Sequence, residues 1–127
     1  MRKFVLLVLL VGLMAIGLAP AQAHVQGAQI DTVFVNGSGQ VLAITGKIVC
    51  SQGEGFLLRV NVRVTDGDSA IGRAGGTCTG GTQSWTTSEE ETFGSLEPGP
   101  AAGHMQIRTT PDNAKKNISD RAQVVFA

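Results

Sequence analysis

The chain has 127 residues, with ten basic and ten acidic side chains, two histidines, two cysteines and a single tryptophan. That length holds one small domain, and the even charge balance excludes the strongly basic footprint of a nucleic-acid binder. No H-E-x-x-H, Walker or dinucleotide fingerprint occurs, and GTQSW only superficially approaches the G-x-S-x-G elbow of a serine hydrolase.

The first element is a leader. Arg2 and Lys3 precede the uninterrupted apolar run FVLLVLLVGLMAIGL, and Pro20 is followed by the small-residue pattern AQA. Together these form a secretory signal peptide. The competing reading is an uncleaved anchor, but residues 4–19 number 16, short of the roughly 20 needed to span a bilayer. Two cleavage positions fit, after Ala23 and after Ala21, and the first is favoured. The expected organisation is therefore a signal peptide over residues 1–23 and an exported domain over residues 24–127. Loss of Arg2 and Lys3 leaves eight basic against ten acidic residues, a net charge of −2 with histidine neutral. That balance argues against nucleic acid or an anionic membrane as partner.

The rest reads as strands. TVFV (residues 32–35) ends at the turn NGSG. In residues 41–50, VLAITGKIVC, the inner face takes Leu42, Ile44, Ile48 and Cys50, with Gly46 as a bulge or bend. FLLRVNVRVT (residues 56–65) alternates cleanly, with Phe56, Leu58, Val60, Val62 and Val64 inward and Arg59, Asn61 and Arg63 outward. TDGDS carries the Asp-Gly signal of a tight hairpin. TGGT (residues 79–82) turns the chain into a strand bearing Trp85. EPGPAAG and TTPDNAKKNISD read as longer loops. GHMQIRTT points Met105 and Ile107 inward and His104, Gln106 and Arg108 outward, and RAQVVF points Ala122, Val124 and Phe126 inward. Six to eight short strands at this spacing predict an all-β fold, a single antiparallel β-sandwich.

Outside the cytosol an even pair of cysteines forms a disulfide, so Cys50 and Cys78 are expected to be bridged. Neither the C-x-x-C of a redox couple nor the close cysteine pairs of a zinc site is present. Trp85 reads as an anchor filling a thin core; the alternative is an exposed platform for sugar stacking.

The order of these features resembles that of small secreted bacterial proteins, many of them actinobacterial. In those, a DTVFVNGSGQVLAITGKIVCS-like segment is followed by a valine-rich strand, an IG-to-CxG-to-W segment and a Pro-Gly loop. The residues carrying the resemblance are Gly46, Cys50, Cys78, Gly80, Trp85, Pro98, Gly99 and Ala101. Thr79 stands where an acidic residue usually follows the second cysteine. The resemblance implies an immunoglobulin-like β-sandwich with one disulfide and no assigned activity. The order Cys…Cys…Trp departs from the Cys…Trp…Cys of antibody domains.

Catalysis would have to use His24, His104 or a carboxylate of raised pKa, so no enzymatic activity is expected. Cleavage after Ala23 would expose the amine and imidazole of His24 as a chelate for Cu(II), with His104 as third nitrogen; an exposed histidine on a strand is otherwise simply solvated. The run SEEE (residues 88–91) alternates faces and suits a solvated edge better than a calcium cage. Arg59, Asn61 and Arg63 form an outer polar row suited to acidic groups. The expected protein is a monomeric, non-catalytic, extracellular or periplasmic module that binds a protein or glycan without a cofactor. The alternatives are a small copper-binding protein and a carrier of a small apolar ligand.

Overall fold

A computed structural model describes residues 25–127. The expected leader, its expected cleavage position and His24 lie outside the described residues. Eight strands follow one another: β1 (Val25–Val35), β2 (Val41–Cys50), β3 (Gly55–Arg63), β4 (Ser69–Thr77), β5 (Thr82–Thr86), β6 (Glu89–Phe93), β7 (Gly99–Thr110) and β8 (Lys115–Phe126). They form one sheet in the order β5-β2-β1-β8-β7-β3-β4-β6. Every pairing is antiparallel except that of β1 with β8, where Thr32–Val35 run alongside Gln123–Phe126. The all-β class and the disulfide are as expected. The two layers of the expected sandwich belong to a single hydrogen-bonded sheet that curls until β2 faces β4 and β6.

The alternation in β3 explains its place. Phe56, Leu58, Val60 and Val62 are buried, and Arg59 and Arg63 are exposed. The hairpin after it closes as its Asp-Gly pair predicts, with Val64 N donating to Asp68 O and Gly67 N to Val64 O, both at 3.0 Å. Ile44, Ile48, Met105, Ile107, Val33 and Val124 complete the centre of the core, each 0% exposed. These side chains occupy the region between the layers where an apolar-ligand carrier would have its cleft.

Residues 82–93 hold the curl closed. β5 pairs with β2 at one end of the sheet order, and β6 pairs with β4 at the other. The switch falls between two neighbouring residues. Thr87 N donates to Ile44 O of β2 at 3.0 Å, and Ser88 N donates to Arg73 O of β4 at 2.8 Å. The Thr87 hydroxyl accepts the Ile44 N–H at 2.9 Å and donates to Glu90 Oε2 at 2.7 Å. Further along, Val41 N donates to Thr92 Oγ1, and the buried Leu96 is held by its N–H to Gly39 O. The β5–β6 segment therefore satisfies donors on both β2 and β4, which would otherwise be free edges.

Cys50 and Cys78 are bonded and buried, with Cα atoms 5.4 Å apart. One ends β2 and the other follows β4, so the bond ties the two layers together at the pole opposite Leu96.

Several sequence expectations are corrected. Leu42 is 49% exposed rather than inward. The β1–β2 register slips between Phe34↔Ala43 and Val35↔Val41, so Leu42 is the extra residue of a bulge and Val41 takes the inner position. Phe126 is 59% exposed: β7 begins only at Gly99, opposite Val124, so the last residue of β8 extends past its β7 neighbour. The EPGPAAG segment is not a loop throughout: β7 begins at Gly99, and Ala101 and Gly103 take inner positions too small to read as core. Of TTPDNAKKNISD, only residues 111–114 form a turn, after a cis Thr110–Pro111 peptide. From Lys115 onward the chain is β8, paired with β7 throughout.

The bend expected at Gly46 lies on the partner strand. The register slips between Ile30↔Gly46 and Thr32↔Thr45, making Asp31 of β1 the bulged residue. The Ile30 N–H donates to Asp120 Oδ2 at 2.8 Å. Gly46 itself lies directly across from Trp85, and a Cβ there would collide with the indole ring and with Gln29 O.

The closed form leads to two predictions. The bond between Cys50 and Cys78 closes a loop of about 29 residues, worth roughly 3.6 kcal/mol in the chain-entropy account. A Cys50→Ala/Cys78→Ala variant is expected to lose about that much in denaturant unfolding; a loss under about 1 kcal/mol would show the tie to be dispensable. The second concerns acid. Gln29 Nε2 donates to Asp31 Oδ1 at 2.6 Å and Lys47 Nζ lies 3.0 Å from Oδ2. The Gln29 hydrogen bond first, with Lys47 assisting, holds the Asp31 carboxyl below its ordinary 3.8 against the opposing effect of desolvation. A depressed folded pKa stabilises above the unfolded value and is lost as pH falls through the folded one. Asp31→Asn should therefore be less stable than the parent at pH 7, with the difference vanishing in strong acid.

Candidate functional site

The outward positions of β4, β3, β7 and β8 form one continuous face. Strand pairing sets them in rows: Leu57 sits between Gly75 and Arg108, Arg59 between Arg73 and Gln106, Asn61 between Ile71 and His104, and Arg63 between Ser69 and Ala102. Beyond β7, Arg108 lies opposite Lys115, His104 opposite Ser119 and Ala102 opposite Arg121. The face carries six cations, Arg59, Arg63, Arg73, Arg108, Lys115 and Arg121, all exposed. Glu89 and Glu91 fringe it on β6, opposite Arg73 and Ile71.

The expected polar row is on this face: Arg59 and Arg63 are exposed and Asn61 is half-buried between its neighbours. Strand register adds Arg73, Arg108, Lys115 and Arg121, which sequence reading did not assign to a site. Arg108 had been placed outward by alternation. Arg73 and Lys115 lie on stretches not recognised as strands, so nothing in the sequence aligned them with Arg59.

Two cation pairs stand directly opposite each other, Arg59 with Arg73 and Arg108 with Lys115. Like charges at cross-strand positions, with Cβ atoms about 5 Å apart, destabilise a sheet. The ion pair Lys47–Asp31 lies elsewhere, on β2 and β1, and none of the six cations is within salt-bridge distance of a carboxylate among the described residues. Arg73 has the carboxylate of Glu89 as its cross-strand neighbour on the other side, and the other five cations have no acidic residue directly across from them on this face.

The surface between them is not flat. A depression of about 290 Å³ is lined by Leu57, Arg59, Arg73, Gln106, Arg108 and Lys115. A second, of about 410 Å³, lies at the other end of β3 between Arg63 and Arg121, with Pro100 and Ala102. Leu57 is 48% exposed at the edge of the first.

The remaining sequence candidates lie away from these hollows. Cys50 and Cys78 are buried in their bond. Trp85 is 3% exposed, its ring against Gly46 and its Nε1 donating to Lys47 O at 3.1 Å. His104 is exposed in the middle of the cationic face. Among the described residues no three histidine, cysteine or acidic side chains are grouped to hold a metal ion, and His24, the other half of the copper chelate, lies outside them.

No family model matches the chain, and no curated protein matches it. Among solved structures, it is similar to AggA, the major subunit of aggregative adherence fimbriae type I from Escherichia coli. The TM-score is 0.39 at 11% identity, over 81% of this chain and 94% of that one. It is also similar to SSP-19, an MSP-domain protein like family member in Caenorhabditis elegans, with a TM-score of 0.35 at 9% identity, over 77% and 97% of the two chains. At these identities no residue of the face is carried over from either protein.

Because exposed like charges repel less as salt screens them, thermal stability is expected to rise between about 10 mM and 150 mM sodium chloride. Arg73→Gln should reduce that dependence. A melting temperature independent of salt in both proteins would show the paired cations to be energetically silent.

Proposed function

We propose that the protein is an exported, non-catalytic β-sandwich module that binds a partner outside the cytosol through the outer face of β4, β3, β7 and β8. The observation that carries this reading is the concentration of six exposed cations, none within salt-bridge distance of a carboxylate among the described residues, on one face of a domain whose overall charge is slightly negative. Holding Arg59 against Arg73 and Arg108 against Lys115 works against folding, so an arrangement of this kind is better explained by a ligand than by stability. The buried disulfide fits an extracellular or periplasmic space. A non-catalytic role is supported by the setting of His104, an exposed side chain whose cross-strand neighbours Asn61 and Ser119 include no carboxylate to orient the ring as a general base.

The test is retention on cell-envelope material from the producing organism. The disulfide-intact protein should bind in a salt-sensitive manner, and Arg59→Glu/Arg63→Glu should lose at least ten-fold in retained fraction while melting normally. Lys47→Glu, a reversal at a single position off this face, should bind as the parent does. Equal retention of all three proteins would remove the face from the function.

A further inference from the structure

We infer that the ligand of this face is a linear acidic polysaccharide, bearing carboxylate or sulfate groups, that lies along β3 from Leu57 to Arg63. The inference rests on the binding reading above and specifies its ligand. The two hollows mark the ends of the track. Leu57 and Arg63 are six residues apart on one strand, a span of about 20 Å at roughly 3.3 Å per residue. The hollow at the first end has four cations and the hollow at the second has Arg63 and Arg121. Asn61, His104 and Ser119 occupy the row between them and offer hydrogen-bonding groups rather than further guanidinium or ammonium groups. A chain with acidic groups separated by hydroxyl-bearing rings has matching chemistry.

Five of the six cations are arginines. A guanidinium presents a planar fork that takes a carboxylate or sulfate through two parallel N–H···O bonds, with geometry as well as charge. Leu57, half exposed at the rim of the first hollow, offers an apolar contact for the C–H face of a sugar ring. Gln106, which also lines this hollow, adds an amide donor and acceptor.

Other polyanions fit less well. Single-stranded nucleic acid is held by aromatic side chains on which bases stack, and on this face the aromatic residue is Phe93, at its β6 margin and outside both hollows. A protein partner is anchored by an aromatic and apolar centre, whereas the middle of this track is the polar row of Asn61, His104 and Ser119. An anionic bilayer meets polybasic segments that can reach its surface, whereas these cations border recesses.

Binding of the oxidised protein to heparin and to polygalacturonate, with neutral dextran, single-stranded DNA and phosphatidylglycerol vesicles as comparisons, tests the assignment. At least one of the two polysaccharides should bind, at least ten-fold more tightly than the DNA or the vesicles at 150 mM salt, and dextran should not bind. Arg59→Gln/Arg73→Gln and Arg108→Gln/Lys115→Gln should each weaken that binding at least ten-fold. Single Arg73→Gln and Lys115→Gln variants, with melting curves alongside, separate lost contacts from lost folding. Lys47→Gln should leave binding unchanged. Failure of both polysaccharides, equal binding of DNA or vesicles, or full binding by the folded double variants would overturn the assignment. Retention on envelopes that still depends on Arg59 and Arg63, without polysaccharide binding, would reject this ligand and leave the binding face in place. Loss of both would reject the two together.

Discussion

The architecture depends on one continuous segment, β5 followed directly by β6, that serves two sheet ends. An eight-stranded sheet left open exposes two rows of unpaired backbone groups, each a template for association with another chain. Here the segment from Thr82 to Phe93 joins β2 with its first half and β4 with its second, and the change of partner occurs across the single peptide bond between Thr87 and Ser88. Thr87 can do this because its hydroxyl supplies the acceptor that Ile44 N–H would lack where the ladder stops. Once β2 and β4 are brought that close, large side chains no longer fit between them. Gly72 of β4 shows the constraint: a Cβ there would come within 2.6 Å of Thr87 Cγ2. The Cys50–Cys78 bond secures the same pair of layers at one pole and Leu96 plugs the other.

That constraint also decides what could be read from the sequence. β3 was legible because it lies between two ladders with one face wholly buried, which imposes strict alternation. The cysteine bridge was legible from the even number of cysteines and the export that the N-terminal residues lead one to expect. β4 was not: the crossing strand forces alanine and glycine into its inner positions, and SAIGRAGGT has no apolar rhythm. The first half of β8 was hidden for a related reason. It is held by its ladder to β7, and at its inner positions Ile118 and Asp120 are only partly buried. Asp120 has a task there, capping the Ile30 N–H freed where β1 bulges. Leu42 shows the remaining limit, since one inserted residue inverts every inward assignment before it.

The candidate site inherits the same pattern. Its β3 members follow from alternation, but a face is a property of register between strands, not of any one strand. Arg59 is placed beside Arg73 by a hairpin and beside Gln106 by a pairing across 47 positions of chain. Without those alignments, six cations spread from Arg59 to Arg121 look like ordinary surface charge in a nearly neutral domain. The rolled sheet converts them into a single convex field with its acidic residues displaced to the β6 margin.

The lone parallel pairing carries a mechanical consequence. β1 begins at the disulfide pole, and β8 ends beside Val35 at the other, where Ala127 N is bonded to Val35 O at 2.9 Å. Tension applied between the ends of the described chain therefore runs along both strands in opposite senses. The rungs between Thr32–Val35 and Gln123–Phe126 are loaded in shear and must give way together, instead of unzipping one by one. A domain anchored at one end and dragged from the other by flow would resist through that short ladder before any of its core is exposed.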